Sequence, residues 1–327
     1  MTRITRSLVL SVVLLAVCPV AGLSAPERPP NFIVILMDDM GWRDVGFMGN
    51  EFVETPSIDR LAKTGLLFTQ AYASAPNCAP TRACLMSGHY TPRHGIYTVV
   101  DPRQPAGSPW QKLLAAHSES ELATDVVTLP EALKARGYAT SFFGMWNLGR
   151  GRSGPRTPGG QGFDTVVFPE TIGFGKDAYF DDKGNYLSDR LTDEVLTFVE
   201  NNRARPFFVY LADHAVHAPY DPKPDLLAKY ERKAKSGNDR RNDPASSAVR
   251  EGEFKLVEFF EDGGRVELYN LRDDPGEKRD LAGKMPEKTT ALTTALHAWH
   301  KQTNAAIPRE PNPAYDPKAD RPRGRRT

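Results

Sequence analysis

Asn31 to Met37 (NFIVILM) is an unbroken apolar, largely β-branched run, the pattern of a central strand buried on both faces, and it stops at Asp38-Asp39. Two carboxylates are therefore expected at a strand's carboxyl end. Thr55-Pro56 supplies an N-cap and a first-turn proline for a helix carrying Ile58, Leu61 and Ala62, with Gly65 placed to end it. Leu66 to Tyr72 reads as the next strand. Thr128 to Glu131 (TLPE) fits a capping box for a helix that runs through Ala132 and Leu133 to Gly137, and Ala139 to Phe143 follows as a strand. Ser188 is placed to cap a helix with Leu191, Val195, Leu196 and Val199 on one face. Pro206 to Leu211 (PFFVYL) is then a buried strand that leads into His214 and His217. Helices alternating with apolar strands predict an α/β fold, a central mostly parallel sheet flanked by helices on both sides, over residues 31–230.

Beyond Tyr230 the periodicity fails, and residues 231–248 read as a charged linker. A second pattern starts at Val249. Phe254 to Phe260 and Arg265 to Tyr269 flank Asp262-Gly263-Gly264 as a β-hairpin, and Glu287 to His300 is a closing helix. These make a small C-terminal antiparallel strand and helix element over residues 249–303. Residues 304–327, rich in proline and basic side chains, are expected to be a disordered tail. There is no internal repeat.

Composition changes this picture little. At 327 residues and 40% hydrophobic content, the chain can form a substantial core as one large or two smaller domains. Residues 1–25 have the form of a signal peptide: Arg3 and Arg6, the apolar run Leu8 to Val17, and a small-residue cleavage site at Leu23-Ser24-Ala25. A periplasmic or secreted protein is implied. The run is shorter than the roughly 20 residues a membrane span needs. Leu15-Ala16-Val17-Cys18 is a weak lipoprotein box and the lesser alternative. The formal charge of +1 contains Arg3 and Arg6, so the chain after residue 25 is nearly neutral and gives no support for a nucleic-acid partner. That chain retains two cysteines, Cys78 and Cys84, whose spacing alone leaves a disulfide and two free thiols equally open.

The most informative stretch is Asn77 to Tyr90, NCAPTRACLMSGHY. Cys78-Ala79-Pro80-Thr81-Arg82, with Ala83, Leu85, Met86, Ser87 and Gly88 after it, resembles the C-x-P-x-R signature of the formylglycine-dependent sulfatases, within the alkaline phosphatase superfamily. The resemblance implies that a formylglycine-generating enzyme oxidises Cys78, that the product supplies an oxygen nucleophile, and that Arg82, one helical turn on, holds it. Asp38-Asp39-Met40-Gly41 is similar to the family's paired aspartates, which bind a divalent cation, usually Ca2+; Asp38, Asp39 and Cys78 are the implied metal ligands. His214-Ala215-Val216-His217-Ala218-Pro219 resembles the family's H-x-x-H-x-P segment. That makes His217 the third catalytic residue, beside Cys78 and Arg82, and His214 its neighbour. Less specific likenesses extend from Asn31 to Trp299. The implied activity is arylsulfatase-like hydrolysis of a sulfate ester on a small molecule or glycan.

The likeness breaks in two places. Gly144-Met145-Trp146-Asn147-Leu148-Gly149 stands where the family has G-K-W-H-L-G, so a cation and a titratable ring are replaced by a thioether and an amide. Losing one such contact typically costs about 10²- to 10³-fold in rate. Between Tyr230 and Val249 the family carries a long further segment that includes an Asp-Asn pair and another lysine, and neither is found here. The sheet is therefore expected to show an open edge or bare apolar face that a partner would cover. These departures favour an alternative: a catalytically impaired relative that binds sulfated glycans or a partner without cleaving. A relative acting on phosphate or phosphonate esters is a third reading, which the C-x-P-T-R context disfavours.

Overall fold

The computed structural model describes residues 28–99, 109, 111–233 and 246–316. In chain order its main elements are β1 (Phe32–Leu36), α1 (Pro56–Thr64), α2 (Cys78–Ser87), α3 (Thr91–His94), α4 (Leu129–Lys134), β2 (Ala139–Gly144), β3 (Thr165–Val167), α5 (Leu187–Asn202), β4 (Phe207–Ala212) and α6 (Pro224–Lys233). Then come β5 (Ser246–Glu251), β6 (Phe254–Phe259), β7 (Arg265–Asn270) and α7 (Pro286–Thr303). The first sheet is parallel throughout, in the order β1-β4-β2-β3, and the second is an antiparallel meander β5-β6-β7. The predicted α/β class and its small antiparallel appendage are both present.

β4 explains how the sheet is held. Phe208, Tyr210 and Ala212 face one way and meet Phe142, Trp146 and Phe163, together with Ala79, Ala83 and Met86 of α2. Phe207, Val209 and Leu211 face the other way and meet Leu187, Leu191, Val195 and Phe198 of α5. Every residue of β2 and β4 is buried, as two-sided coverage of a parallel strand requires. The capping box at α4 also forms. Thr128 Oγ1 accepts from Glu131 N at 3.4 Å, and Thr128 N donates to Glu131 Oε2 at 2.7 Å. A cap of this kind contributes about 1 kcal/mol.

β1 lies at the edge of the sheet and is only half covered. Its Val34 and Leu36 pack on the α2 side, but Ile33 and Ile35, in register with Val209 and Leu211, are 52% and 57% exposed because α5 does not reach them. α1 and α6 bury no residue at all. The open edge and bare face expected from the missing segment are thus visible on one flank.

Several local expectations are corrected. Leu66 to Tyr72 forms no strand: Leu66 and Phe68 stand 80% and 71% exposed, since among the described residues no neighbouring strand pairs with them. Ser188 is not a cap. α5 starts two residues earlier, at Leu187 with Tyr186 in the cap position, and Ser188 Oγ donates instead to Asp213 Oδ1 at 3.0 Å. The linker expected over 231–248 is narrower, because α6 continues to Lys233 and β5, which the hairpin reading did not include, begins at Ser246; residues 234–245 lie outside the described part. Of the tail, residues 304–316 are placed, with Leu113 bridging Pro311 and Ala306 N donating to Tyr97 Oη at 2.9 Å. The rest of the tail, like the signal peptide, lies outside the described residues, among which no helix is long and apolar enough to cross a membrane.

Candidate active site

Three parallel strands end together. Register aligns Leu36 of β1 and Gly144 of β2 with Ala212 of β4. The loops then knit: Asp213 N donates to Leu36 O at 3.1 Å, Asp38 N to Ala215 O at 3.0 Å, Val216 N to Asp38 O at 2.8 Å, and Met145 N to Ala212 O at 3.0 Å. Residues 108 positions apart in β1 and β2 thus open onto one carboxyl-end crevice, the usual ligand position in open α/β sheets. Gly144 is required there. At φ +107° a Cβ would sit 2.0 Å from Ala212 O.

α2 points its first turn into this crevice. Cys78 is its first residue and Arg82 lies one turn further along the same face. Cys78 Sγ donates to Asp38 Oδ1 at 3.0 Å, and Arg82 Nη2 stands 3.3 Å from Asp38 Oδ2. Arg82 Nη1 donates to Met145 O at 2.6 Å, so this arginine, 1% exposed, ties α2 to the ends of both β1 and β2. Burial, and after it the Asp38 carboxylate, pushes the Cys78 thiol up to about 12. Unmodified, the sulfur is a thiol and a weak nucleophile.

His217 closes the opposite side. Its Nδ1 lies against Ala218 O, which fixes the proton on Nδ1 and leaves the Nε2 lone pair free, 3.9 Å from Asp39 Oδ2. Tyr179 Oη reaches the carbonyls of His214 and His217 at 2.9 and 2.7 Å and so anchors the loop from beneath. His214 is buried, and burial lowers its pKa. Among the described residues, the buried side-chain nitrogen and oxygen atoms without a hydrogen-bond partner are Asp38 Oδ2, Arg82 Nε and Nη2, Tyr210 Oη and His214 Nε2. All belong to this cluster or, as Tyr210 does, border Arg82. Asp38 Oδ2 and Arg82 Nη2 nevertheless face each other at 3.3 Å as an ion pair, which leaves Arg82 Nε and His214 Nε2 as the unmatched atoms of the crevice.

A sulfatase family model matches residues 30–284, more than half of the chain. The chain belongs to the sulfatase family. Human N-acetylgalactosamine-6-sulfatase is 35% identical over 236 residues, 63% of this chain and 43% of that one. Human arylsulfatase A is 40% identical over 143 residues, 44% of this chain and 25% of the relative. A sulfatase of Formosa agariphila is 28% identical over 81% of this chain and 57% of its own. The chain therefore spans about half the length of the curated relatives it matches. Among solved structures, Ps i-CgsB in complex with k-i-k-neocarrahexaose superposes with a TM-score of 0.65 at 18% identity, covering 86% of this chain and 94% of that chain, a likeness of fold.

Within this chain the departures from the family resemblance cluster at the crevice. Asn147 adopts φ +58°, a left-handed conformation that asparagine tolerates, and its Nδ2 lies 3.0 Å from Met145 Sδ, so each substituted residue satisfies the other. The donor set also departs. Calcium takes six to eight oxygens. Here Asp38 is engaged by Cys78 and Arg82, and Asp39 is 53% exposed. Among the described residues the one group of three metal-ligating side chains is Asp38, Cys78 and His217, with donor atoms within 4.8 Å of one another. With Cys78 unmodified, one oxygen, one sulfur and one nitrogen do not make a calcium site. Of the residues expected from the sequence, the structure brings Cys78, Arg82, Asp38 and His217 together and leaves Asp39 at the margin. Tyr179 and Asp213, which support the histidine loop, carry no motif and escaped the sequence reading.

Cys84 has a structural place. Both described cysteines are free, so the disulfide alternative falls. Cys84 Sγ lies 3.3 Å from His94 Nε2, while His94 Nδ1 accepts from Ile96 N at 3.1 Å, which puts the ring proton on Nε2. Burial, with help from His89, lowers the His94 pKa to about 4. The fold therefore favours neutral His94. Its contribution to stability is present above about pH 6.5, the usual histidine value, and is lost as pH falls through about 4. Urea midpoints are expected to decline across that window, and the decline should be shallower in His94→Gln; parallel wild-type and variant curves would remove His94 from the account.

Proposed function

We propose that this chain is a sulfate-ester hydrolase that works at Cys78, Arg82 and His217. The contact of Cys78 Sγ with Asp38, beside the buried Arg82 and facing His217, carries this reading. Formylglycine fits the place: a half-buried side chain at a helix N-terminus, against the buried Asp38–Arg82 ion pair. Made from Cys78 by a formylglycine-generating enzyme, it would supply the oxygen nucleophile. The remaining work belongs to the chain's own side chains. Arg82 holds that oxygen in line and balances charge on the sulfate, aided by the first-turn N–H groups of α2. His217, with Nδ1–H held on Ala218 O, would act from its imidazolium form, giving the Nε2 proton to the departing alkoxide oxygen and returning to the neutral ring.

A sulfated sugar or small molecule is the substrate class, in keeping with a relative named N-acetylgalactosamine-6-sulfatase and a structural neighbour in complex with its substrate D-glucosamine-2-N,6-O-disulfate. Residues 1–25 direct export, and a further polypeptide covers Ile33 and Ile35 on the open flank of β1. A second reading, a binder of sulfated glycans with little turnover, is favoured by Met145 and Asn147, which present neither cation nor titratable ring.

The deciding experiment is peptide mass around Cys78 in the purified exported protein, paired with a fluorogenic sulfate-ester assay. Formylglycine with turnover supports the hydrolase; an unmodified cysteine with no turnover leaves the binder.

A further inference from the structure

The misfit with calcium points to a different ion. We propose that, while Cys78 remains a cysteine, Asp38, Cys78 and His217 bind Zn2+. Their donor atoms, a carboxylate oxygen, a sulfur and an imidazole nitrogen, lie within 4.8 Å of one another at the mouth of the crevice. Ligands around tetrahedral zinc stand about 3.3–3.8 Å apart, from bonds of about 2.0–2.3 Å, so a modest swing of the half-exposed His217 ring closes the set.

Three features make this more than proximity. Nδ1–H of His217 is spent on Ala218 O, which orients the ring and leaves Nε2 as the ligating atom, the arrangement that zinc-bound histidines generally show. Asp38 is 4% exposed, with Oδ2 facing Arg82 Nη2 at 3.3 Å and Oδ1 holding only the Cys78 S–H, so Oδ1 is the oxygen that can turn to an ion. His214 Nε2, buried and unpartnered, lies in the ring next to His217, with centroids 5.3 Å apart. Sulfur, imidazole and one carboxylate are a borderline-soft set that suits zinc and not calcium.

The exchange balances simply. Zn2+ takes the Cys78 sulfur as thiolate, the thiol proton leaves to solvent, and the Asp38 oxygen that had accepted that hydrogen is released to ligate. Thiolate and carboxylate then neutralise the ion, Arg82 stays on Asp38 Oδ2, and water fills the fourth position. Because the ion uses the Cys78 sulfur, zinc occupancy and formylglycine formation exclude each other at this residue.

The test uses the full chain made without a formylglycine-generating enzyme, with the thiol at Cys78 verified by mass. The metal-free protein is titrated with ZnCl2 against a chromophoric chelator and, separately, with CoCl2. One equivalent is expected to bind, with a thiolate-to-cobalt band in the near ultraviolet. Cys78→Ser should abolish the band and weaken zinc by at least about 100-fold, with His217→Gln weakening it about 10- to 100-fold. Cys84→Ala should change neither, and millimolar CaCl2 should not compete. Circular dichroism confirms that each variant is folded. Equal zinc affinity in wild type and Cys78→Ser, or a band that follows Cys84, overturns the proposal. The sulfate-ester reading stands apart: a chain that binds zinc as the thiol yet stays inactive after maturation keeps this site and loses that activity, and a chain that is active once matured but whose thiol form gives no cobalt band does the reverse.

Discussion

Arg82→Met is expected to lower the free energy of unfolding by about 3–5 kcal/mol and to reduce any sulfate-ester turnover by at least about 10²- to 10³-fold. The stability loss follows from what remains behind. Asp38 is buried, and without the guanidinium 3.3 Å away its charge keeps only the Cys78 S–H as a partner, while Met145 O loses a 2.6 Å donor. A buried carboxylate stripped of its counter-ion is among the costliest defects a side-chain change can make. Adding Asp38→Asn removes the stranded charge, so the double variant should recover most of the stability and none of the turnover. Urea unfolding at neutral pH reads the first outcome and the fluorogenic assay the second. A single variant within about 1 kcal/mol of wild type would mean that water reaches Asp38 in solution.

The second large effect is a gain. Met145→Lys together with Asn147→His restores the cation and the titratable ring that the G-K-W-H-L-G resemblance places here, and each is expected to raise kcat/KM by about 10²- to 10³-fold in protein carrying formylglycine at residue 78. The backbone permits both changes. Position 147 sits at φ +58°, where histidine is tolerated almost as asparagine is, and Met145 is held by its own N–H and C=O, its Sδ meeting only the Asn147 amide that the double change also replaces. Lysine at 145 would also place a positive charge beside a crevice whose nearest carboxylate already has Arg82, so it needs an anion to face. Sulfate binding should tighten for that reason, seen as a lower KM. If kcat/KM stays flat in matured protein, the substitutions are not what limits this chain, and the uncovered flank of β1 becomes the next place to look.

Much of this was legible in residue order. The runs ending at Met37, Phe143 and Leu211 are β1, β2 and β4; β2 and β4 are buried on both faces as such runs imply, whereas β1, read as a central strand, lies at the sheet edge with Ile33 and Ile35 exposed. The TLPE box worked because capping is settled by four consecutive residues. Leu66 to Tyr72 failed for the opposite reason: an apolar run becomes a strand only with a neighbour to pair with, and its own sequence does not say whether one exists. Ser188 was misread because its hydroxyl had a better acceptor 25 residues away, in Asp213.

The candidate site divides along the same line. Sequence alone determined the membership in the sulfatase family, the positions of Cys78, Arg82, Asp38 and His217, and that Met145 and Asn147 stand where the family resemblance implies a lysine and a histidine, since these depend on short contiguous motifs. Tertiary structure alone decided that Cys78 binds Asp38 while Asp39 stands half exposed, that Arg82 bridges α2 to two strand ends, that His217 keeps Nε2 free, and that the donors gathered there are one oxygen, one sulfur and one nitrogen. The reason is physical: a motif specifies which groups are present, but their coordination and charge state depend on distances, burial and hydrogen bonds among segments far apart in the chain, which only the packed sheet sets.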